Sequence, residues 1–535
     1  MDITRRDSHP TAGVTGPPRS PEPWPATLDL AAVEAKRLLL HPLVLSAGSL
    51  SALLLWRAGN GQLPVLHMAD AASQVSLVPL AVGTLLAANL AVLRARRSGT
   101  EELYAATRLS ATFRILAHLS AILLPVGLAM MLVILHLARL ISEPGEIGRP
   151  NPFELATGPA LVGLGGIVGV VVARLAPIAV AAPLTVVAVT TAHVRSNEAD
   201  SSLDWFGLLV IERRHPVPIE LLGRPAGWHL LYLVGLALLL AAVALLRSQA
   251  RGRLVMAAVA GLILILVGAG GQTRPIPADV VARQLQAGRG QPASAQDCQR
   301  RGSVTYCAFA GFQARIDQWD SVVRSVLVRV PGHVGAQPLL IRQRVDAALI
   351  TPESPVRNLE TLAHSRSDFY QGAHEGRIVP VGTLWNHSEA LGSSQLLLGA
   401  AVASRIVGLP PVLPSIDSSD PAFPCNARAT VALWLAAQAS PAAAKQLRQQ
   451  VWDSEAGGSV GQPVSLVWDV EDYDVGQWPW REAQYALMLL DRPASEVQEV
   501  LGRDWKVLTA AKTPSDVLAA SFGLQKLEAD PTSTC

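Results

Sequence analysis

Lysine is nearly missing from this 535-residue chain: five lysines stand against thirty-nine arginines, beside abundant alanine, a bias of the kind a GC-rich genome produces. Charge of either sign is scarce, at 16% of residues, and the net charge is only +2. So weak a positive balance gives no support to a nucleic-acid or other polyanionic partner. Several chemical signatures are also lacking. No GxxxxGK[ST] segment occurs, so the chain cannot cradle nucleotide phosphates in the P-loop manner. No CxxC pair occurs, and His374-Glu375 is followed by Gly-Arg-Ile-Val, which rules out a zinc-protease helix. The stretch Met1–Pro25 is polar and proline-rich and lacks the apolar core of a signal peptide. It reads as a disordered cytoplasmic tail, assigned to residues 1–26.

What the chain has in quantity is apolar sequence. Half its residues are hydrophobic and its mean hydropathy is +0.31. About 20 apolar residues span the hydrocarbon core as a helix, and seven runs approach that: 38–56, 73–93, 115–137, 155–172, 175–192, 228–246 and 254–271. A soluble protein rarely packs so many into half its length. The expected fold is therefore an α-helical polytopic membrane protein of about seven transmembrane helices, over residues 27–271, followed by a linker at 272–295. The fourth and fifth runs are short and are expected to meet in a tight turn at Ala173–Arg174. With the N-terminus inside, the inner loops carry nine arginines in 30 residues and the outer loops seven in 68. Cytoplasmic loops concentrate arginine, so this orientation is preferred, and an odd number of spans puts residues 296–535 outside.

Cysteine supplies an independent sign. All four, Cys298, Cys307, Cys425 and Cys535, follow the last apolar run, and disulfides persist in oxidising compartments. Cys298 and Cys307 are the favoured pair, with a zinc site and free thiols as the alternatives. In the outside region, 303–309, 338–350 and 377–385 have strand character. Helical periodicity recurs at 313–329, 388–407, 426–439, 482–491 and 494–508. A C-terminal mixed α/β extracytoplasmic domain is expected. Its chemistry is thin. Gly457–Gly461 fits GxSxG with Ser459 in the nucleophile's place, but its polar surroundings suit a glycine-rich loop better than a nucleophile elbow. The segment 468–480 collects Asp469, Glu471, Asp472 and Asp474 among aromatic residues. It reads as a solvated loop, with cation or cationic-ligand binding as the alternative. No catalytic or metal-ligating residues are assigned.

Two segments of the membrane half are unusual. In "LDLAAVEAKRLLLHP", Leu28, Ala31, Ala32, Ala35, Leu38 and Leu39 share a helical face. A helix along the membrane surface, turning inward at His41-Pro42, is expected, against a plain extension of the first span. In "VLRARRSGTEELYAATRLSATFR", Ser98 and Glu101 match a capping box. A short helix over 100–109 should follow, its acidic first turn and Arg108 matching the helix dipole. A solvated connector is the alternative. Asn89 and His118 are polar residues within spans, suited either to a translocation path or to helix–helix hydrogen bonds. Gly165 and Gly169 form a GxxxG that favours close packing.

The surface helix, the first hairpin and then R-x-R-R-x-G-T-E-E-L-x-x-A-T-R-L-S resemble the permease subunits of bacterial ABC-2 type ABC exporters. "GRPAGWHLLYLVGLALLLAAVALLR" is similar to actinobacterial members. The resemblance covers 27 to about 250 and rests on pattern and order. It implies a six-helix core in the bacterial cell membrane and a dimer with a second permease copy or paralogue. It also implies a coupling helix whose contacts Thr100, Glu101, Glu102, Leu103 and Arg108 dock on two copies of a separate ATPase. ATP and magnesium would sit on that partner, with no cofactor on this chain and membrane lipid around it. Such permeases usually end after the sixth span, and the added helix and domain depart from that pattern. A membrane-anchored extracytoplasmic binding or sensing protein without transport is the alternative.

Overall fold

Bundles in lipid gain little from hydrophobic burial between helices, so close packing and polar contacts must hold them. The computed structural model describes residues 24–59, 65–99, 109–143, 145–198, 206–209, 224–247, 252–275, 277–288, 295–344, 377–383, 385, 391–409, 425–456, 464–468 and 473–528. The membrane part comprises α1 (Trp24–Leu39), α2 (Pro42–Ala58), α3 (Leu66–Ser76), α4 (Val78–Arg97), α5 (Ala111–Ala121), α6 (Leu123–Ile141), α7 (Pro152–Leu175), α8 (Ala181–Glu198), α9 (Ala226–Leu246) and α10 (Gly252–Gln272). Five continuous stretches are long and apolar enough to cross a membrane: Leu66–Arg94, Ala111–Ile141, Pro152–Leu175, Ala226–Leu246 and Gly252–Gln272. A sixth is reached if α1 and α2, bent by 58°, count as one. The chain is thus a multi-pass helical membrane protein with five to six candidate spans, where the sequence suggests seven. The difference lies in α8, whose apolar part, Ala181–Val194, is short. The expected turn at Ala173–Arg174 is also displaced, because α7 continues to Leu175.

The bend between α1 and α2 falls at the expected His41-Pro42. Proline at the first helical position suits a new helix start, and the His41 ring accepts a hydrogen bond from the Leu43 N–H at 3.3 Å. The α3–α4 stretch breaks at Leu77, just ahead of Pro79. There the Ser51 hydroxyl of α2 accepts the Leu80 N–H at 3.2 Å, satisfying a donor that the new helix start leaves open.

Glycines set the interhelical distances. A Cβ on Gly165 would lie 2.6 Å from the Ala81 carbonyl oxygen, and one on Gly169 2.2 Å from that of Leu85. The GxxxG face of α7 therefore lets its backbone rest directly on α4. Asn89 adds a side-chain bond to this seam, its amide donating to the Gly169 carbonyl at 3.1 Å. The α9–α10 pair is built likewise. A Cβ on Gly235 would meet the Ile265 nitrogen at 2.7 Å, and one on Gly261 the Leu239 nitrogen at 2.7 Å. The outer flank of α10 keeps Met256, Ile263 and Leu266 exposed, as a lipid-facing helix does.

Beyond α10, the segment expected as a linker contains a helix, α11 (Ala278–Gly288). The C-terminal domain then opens on β1 (Gln296–Arg301) and β2 (Val304–Phe309). The crossover helix α12 (Ile316–Leu327) leads to β3 (Leu339–Gln343), and β4 (Arg377–Val381) completes a sheet of order β1-β2-β3-β4. The hairpin is antiparallel and the other two pairings are parallel. Cys298 and Cys307 are direct partners across the hairpin, with Cα atoms 4.1 Å apart, and form a disulfide. Cys425 is disulfide-bonded as well. The helices α13 (Leu391–Val407), α14 (Ala427–Ala437), α15 (Pro441–Ala456), α16 (Trp480–Leu490), α17 (Ala494–Leu508) and α18 (Ser515–Ser521) pack around α14, nearly all of which is buried. A second hairpin, β5 (Val464–Trp468) with β6 (Tyr473–Trp478), occupies part of the segment expected as a solvated loop. Ser459 and residues 469–472 lie outside the described residues.

The α4–α7 seam sets an order of effects. Gly169→Ala forces two backbones apart and should cost about 1–3 kcal/mol, the overpacking range. Asn89→Ala loses one interhelical hydrogen bond, worth roughly 0.6 kcal/mol in a membrane. Thermal unfolding in detergent should rank Gly169→Ala well below Asn89→Ala. The reverse order would refute the backbone-contact account.

Candidate functional site

The first site is built around a carboxylate at the end of the bundle where α4 stops and α5 starts. The buried residues of α1 are Thr27, Ala31, Glu34 and Leu38. This stripe is rotated from the expected apolar face. Ala31 and Leu38 belong to both, whereas Leu28 is exposed and Glu34 turns inward. In a lipid setting the rotation is reasonable, since apolar side chains can face acyl chains while the acid seeks partners in the bundle.

Glu34 finds those partners on three helices. The Arg94 guanidinium, in the last turn of α4, donates to both its oxygens at 3.0 and 3.3 Å. Arg37, one turn along α1, donates at 3.2 Å. His118 of α5 places Nδ1 3.9 Å from the same carboxylate. At the other end of α1, the Trp24 ring meets Phe113 of α5 edge-on, with centroids 5.6 Å apart. The surface helix is thereby fastened to both stems of the first loop, α4 before it and α5 after it. Sequence reasoning overlooked Glu34 and Arg94. The available signal was a single acid at helical spacing from Ala31 and Leu38.

The structure separates the two residues expected along a path. Asn89 is fully buried in the α4–α7 seam, while His118 belongs to the Glu34 cluster. Thr100, Glu101, Glu102, Leu103 and Arg108 lie outside the described residues. Ser98, expected to cap the loop helix, closes α4, its hydroxyl donating to the Arg94 carbonyl at 2.9 Å.

The second site lies at the opposite end of the bundle, where the C-terminal domain sits on two interhelical loops. The Leu66 N–H donates to the Ile147 carbonyl at 2.9 Å, and Val65 and Ile147 form a parallel bridge. Both side chains join the hydrophobic core that contains Phe309, Phe312 and Trp319 of the domain. Arg315, almost entirely buried here, has its guanidinium pushed down to about 9 by burial, and the Glu146 carboxylate partly restores it. The loop lies flat because Gly145 and Gly148 adopt φ of +85° and +82°, which side-chain-bearing residues rarely do. A Cβ on Gly145 would come 2.6 Å from Gln318, and one on Gly148 2.6 Å from His67.

Behind this contact, the head of α7 carries a polar cluster. Glu154 accepts from Arg224 at 2.8 Å and from the Gln74 side-chain amide at 2.5 Å. The Asp70 carboxylate accepts the Asn151 N–H at 2.5 Å. The cluster ties α3, α7 and the approach to α9 together. No group of three or more His, Cys, Asp or Glu side chains among the described residues could hold a metal ion.

Two variants test these sites. Glu34→Ala leaves Arg94 and His118 without their acid. It should lower detergent-phase stability by about 1–3 kcal/mol, discounted towards the lower end because Arg94 is partly exposed. Glu34→Gln should fall between it and wild type. Gly148→Val imposes a strained φ and a clash with His67. Hydrogen exchange should then rise in 145–148 and 309–316 while the α9–α10 pair keeps its protection. Unchanged exchange at 309–316 would mean that these loops do not hold the domain. Compared with family models, with curated proteins and with solved structures, the chain matches none.

Proposed function

We propose that this chain is the membrane subunit of an ABC exporter, driven by a separate ATPase that docks on the first loop between α4 and α5. The observation that carries this reading is the Glu34 cluster. A loop that only connected two helices would need no fastening, whereas this one has both stems tied to a surface helix through one carboxylate. Force applied at the loop would move α1, α4 and α5 together. Because α4 rests on α7 through glycines, the motion would pass into the bundle. ATP and magnesium belong on the partner in this scheme, and the exporter would work as a pair of permease chains.

The same reading takes the chain through the membrane seven times, with α8 as the short passage beyond the five to six candidate spans. The C-terminal domain touches the loops at Val65 and Ile147, so the three lie on one face. Arg224 pairs with Glu154 at the head of α7, which brings the start of α9 to that face too. Since α7 leads away from it, this reading returns the chain through α8. Its 18 residues reach roughly 27 Å at the helical rise. The arginine bias then makes the domain's face extracytoplasmic. There the domain would gate, receive or hand on the substrate.

The test is purification of the full chain from its native membranes, with an ATPase sought among the proteins that come with it. Wild type should carry the ATPase, and Glu101→Arg combined with Glu102→Arg should release it while leaving the bundle's stability within about 1 kcal/mol of wild type, as surface changes do. Association and export untouched by the double variant would overturn the reading. A chain that never carries an ATPase would favour a membrane-anchored binding or sensing protein.

A further inference from the structure

Beside the Glu34 cluster lies a cavity of about 400 Å³ that the exporter reading does not use. It is lined by His41, Leu90, Ala91, Arg94, Arg97 and Ser98. Its volume is in the range of small-ligand sites. It sits between the α1–α2 bend and the last turn of α4, at the face of the bundle opposite the C-terminal domain.

Among the described residues no carboxylate lines this cavity. Glu34, the acid of the adjoining cluster, is already engaged by Arg94 and Arg37. Arg37 and Arg94 share the Glu34 carboxylate, and Arg96 and Arg97 follow Arg94 in the last turn of α4. The C-terminus of α4 adds only about half a negative charge. Positive charge is left over, and Arg97 forms no ion pair among the described residues. The cavity is also two-sided in character. Leu90 and Ala91 line it with apolar groups, and Arg94 and Arg97 with basic ones. Leu40 at the bend and Leu45 on α2 are exposed. A free anion would have no use for these apolar groups, whereas a phosphate that carries acyl chains would use both kinds.

We infer that this cavity binds the phosphate-bearing headgroup of an anionic phospholipid, with Arg97 and the outer side of Arg94 holding the phosphate and its acyl chains lying along Leu40 and Leu45. His41 is placed for a further polar contact. Its Nδ1 is occupied by the Leu43 N–H, which leaves Nε2 as the atom that can meet a ligand. The site would link lipid composition to the Glu34 cluster, because Arg94 belongs to both. The inference goes beyond the exporter reading and does not depend on an ATPase.

Native mass spectrometry of the full-length protein in mild detergent tests it, with phosphatidylglycerol and phosphatidylcholine as the two probes. Wild type should retain phosphatidylglycerol in preference to phosphatidylcholine. Arg97→Gln should weaken that retention about fivefold, the worth of one basic side chain near an anionic lipid surface. Arg253→Gln, an equal loss of charge at the exposed start of α10, should leave it unchanged. Ala91→Leu, which fills the cavity and keeps every charge, should also lose the lipid, so the test does not rest on one variant's folding. Inorganic phosphate is the second arm. If it displaces phosphatidylglycerol from wild type and its effect is lost in Arg97→Gln, the anion site stands with free phosphate as its source. Equal loss in Arg97→Gln and Arg253→Gln, no preference for the anionic lipid, or full retention in Ala91→Leu would overturn the site.

Discussion

A carboxylate at the edge of a lipid-embedded bundle is stable only where cations come to it. Glu34 is held by Arg37 of its own helix, Arg94 of α4 and His118 of α5. Each of these is fixed in turn by the element that bears it, so the acid determines how three helices meet. It turns the Thr27, Ala31 and Leu38 side of α1 onto the bundle and draws the end of α4 against α1. It also sets the positions from which the first loop leaves and returns. Beside that anchoring, α1 is held by the edge contact of Trp24 with Phe113 and by Ala31 and Leu38, which are buried against the bundle.

The remainder of the bundle relies on shape. Where Gly165 and Gly169 of α7 meet α4, and Gly235 and Gly261 join α9 to α10, backbone lies on backbone with no room for a methyl group. Dispersion contacts of this kind are individually small and collectively large. They suit helices whose outer faces are surrounded by hydrocarbon. The two devices are complementary: ionic contacts fix where the helix ends stand, and glycine seams fix how near the helix bodies approach.

Much of this was legible in the sequence. The helical membrane character, the bend at His41-Pro42 and the close packing at Gly165 and Gly169 follow from hydropathy, proline and glycine, which act locally. The strands at 304–309, 339–343 and 377–381 were visible because β-branched and aromatic residues cluster there. What was not legible depended on distant partners. Glu34 looks like an ordinary polar residue until Arg94, sixty positions on, arrives beside it. β1, Gln-Asp-Cys-Gln-Arg-Arg, is an exposed edge strand with no apolar alternation to betray it. The burial of Arg315 needs Glu146 from the other half of the chain. The stripe expected on α1 is only partly the one that packs on the bundle: Ala31 and Leu38 are buried, Leu28 is exposed, and Glu34, outside the stripe, is buried because its partners come from α4 and α5.

The bridge between Val65 and Ile147 has a mechanical corollary. It clamps the heads of two helix pairs to one another and to the folded domain above them. A bundle tethered at one end has its fulcrum there, and the displacement produced by any tilt grows with distance from it. The largest displacement would then fall at the far end, where the Glu34 cluster carries α1, α4 and α5 as one group.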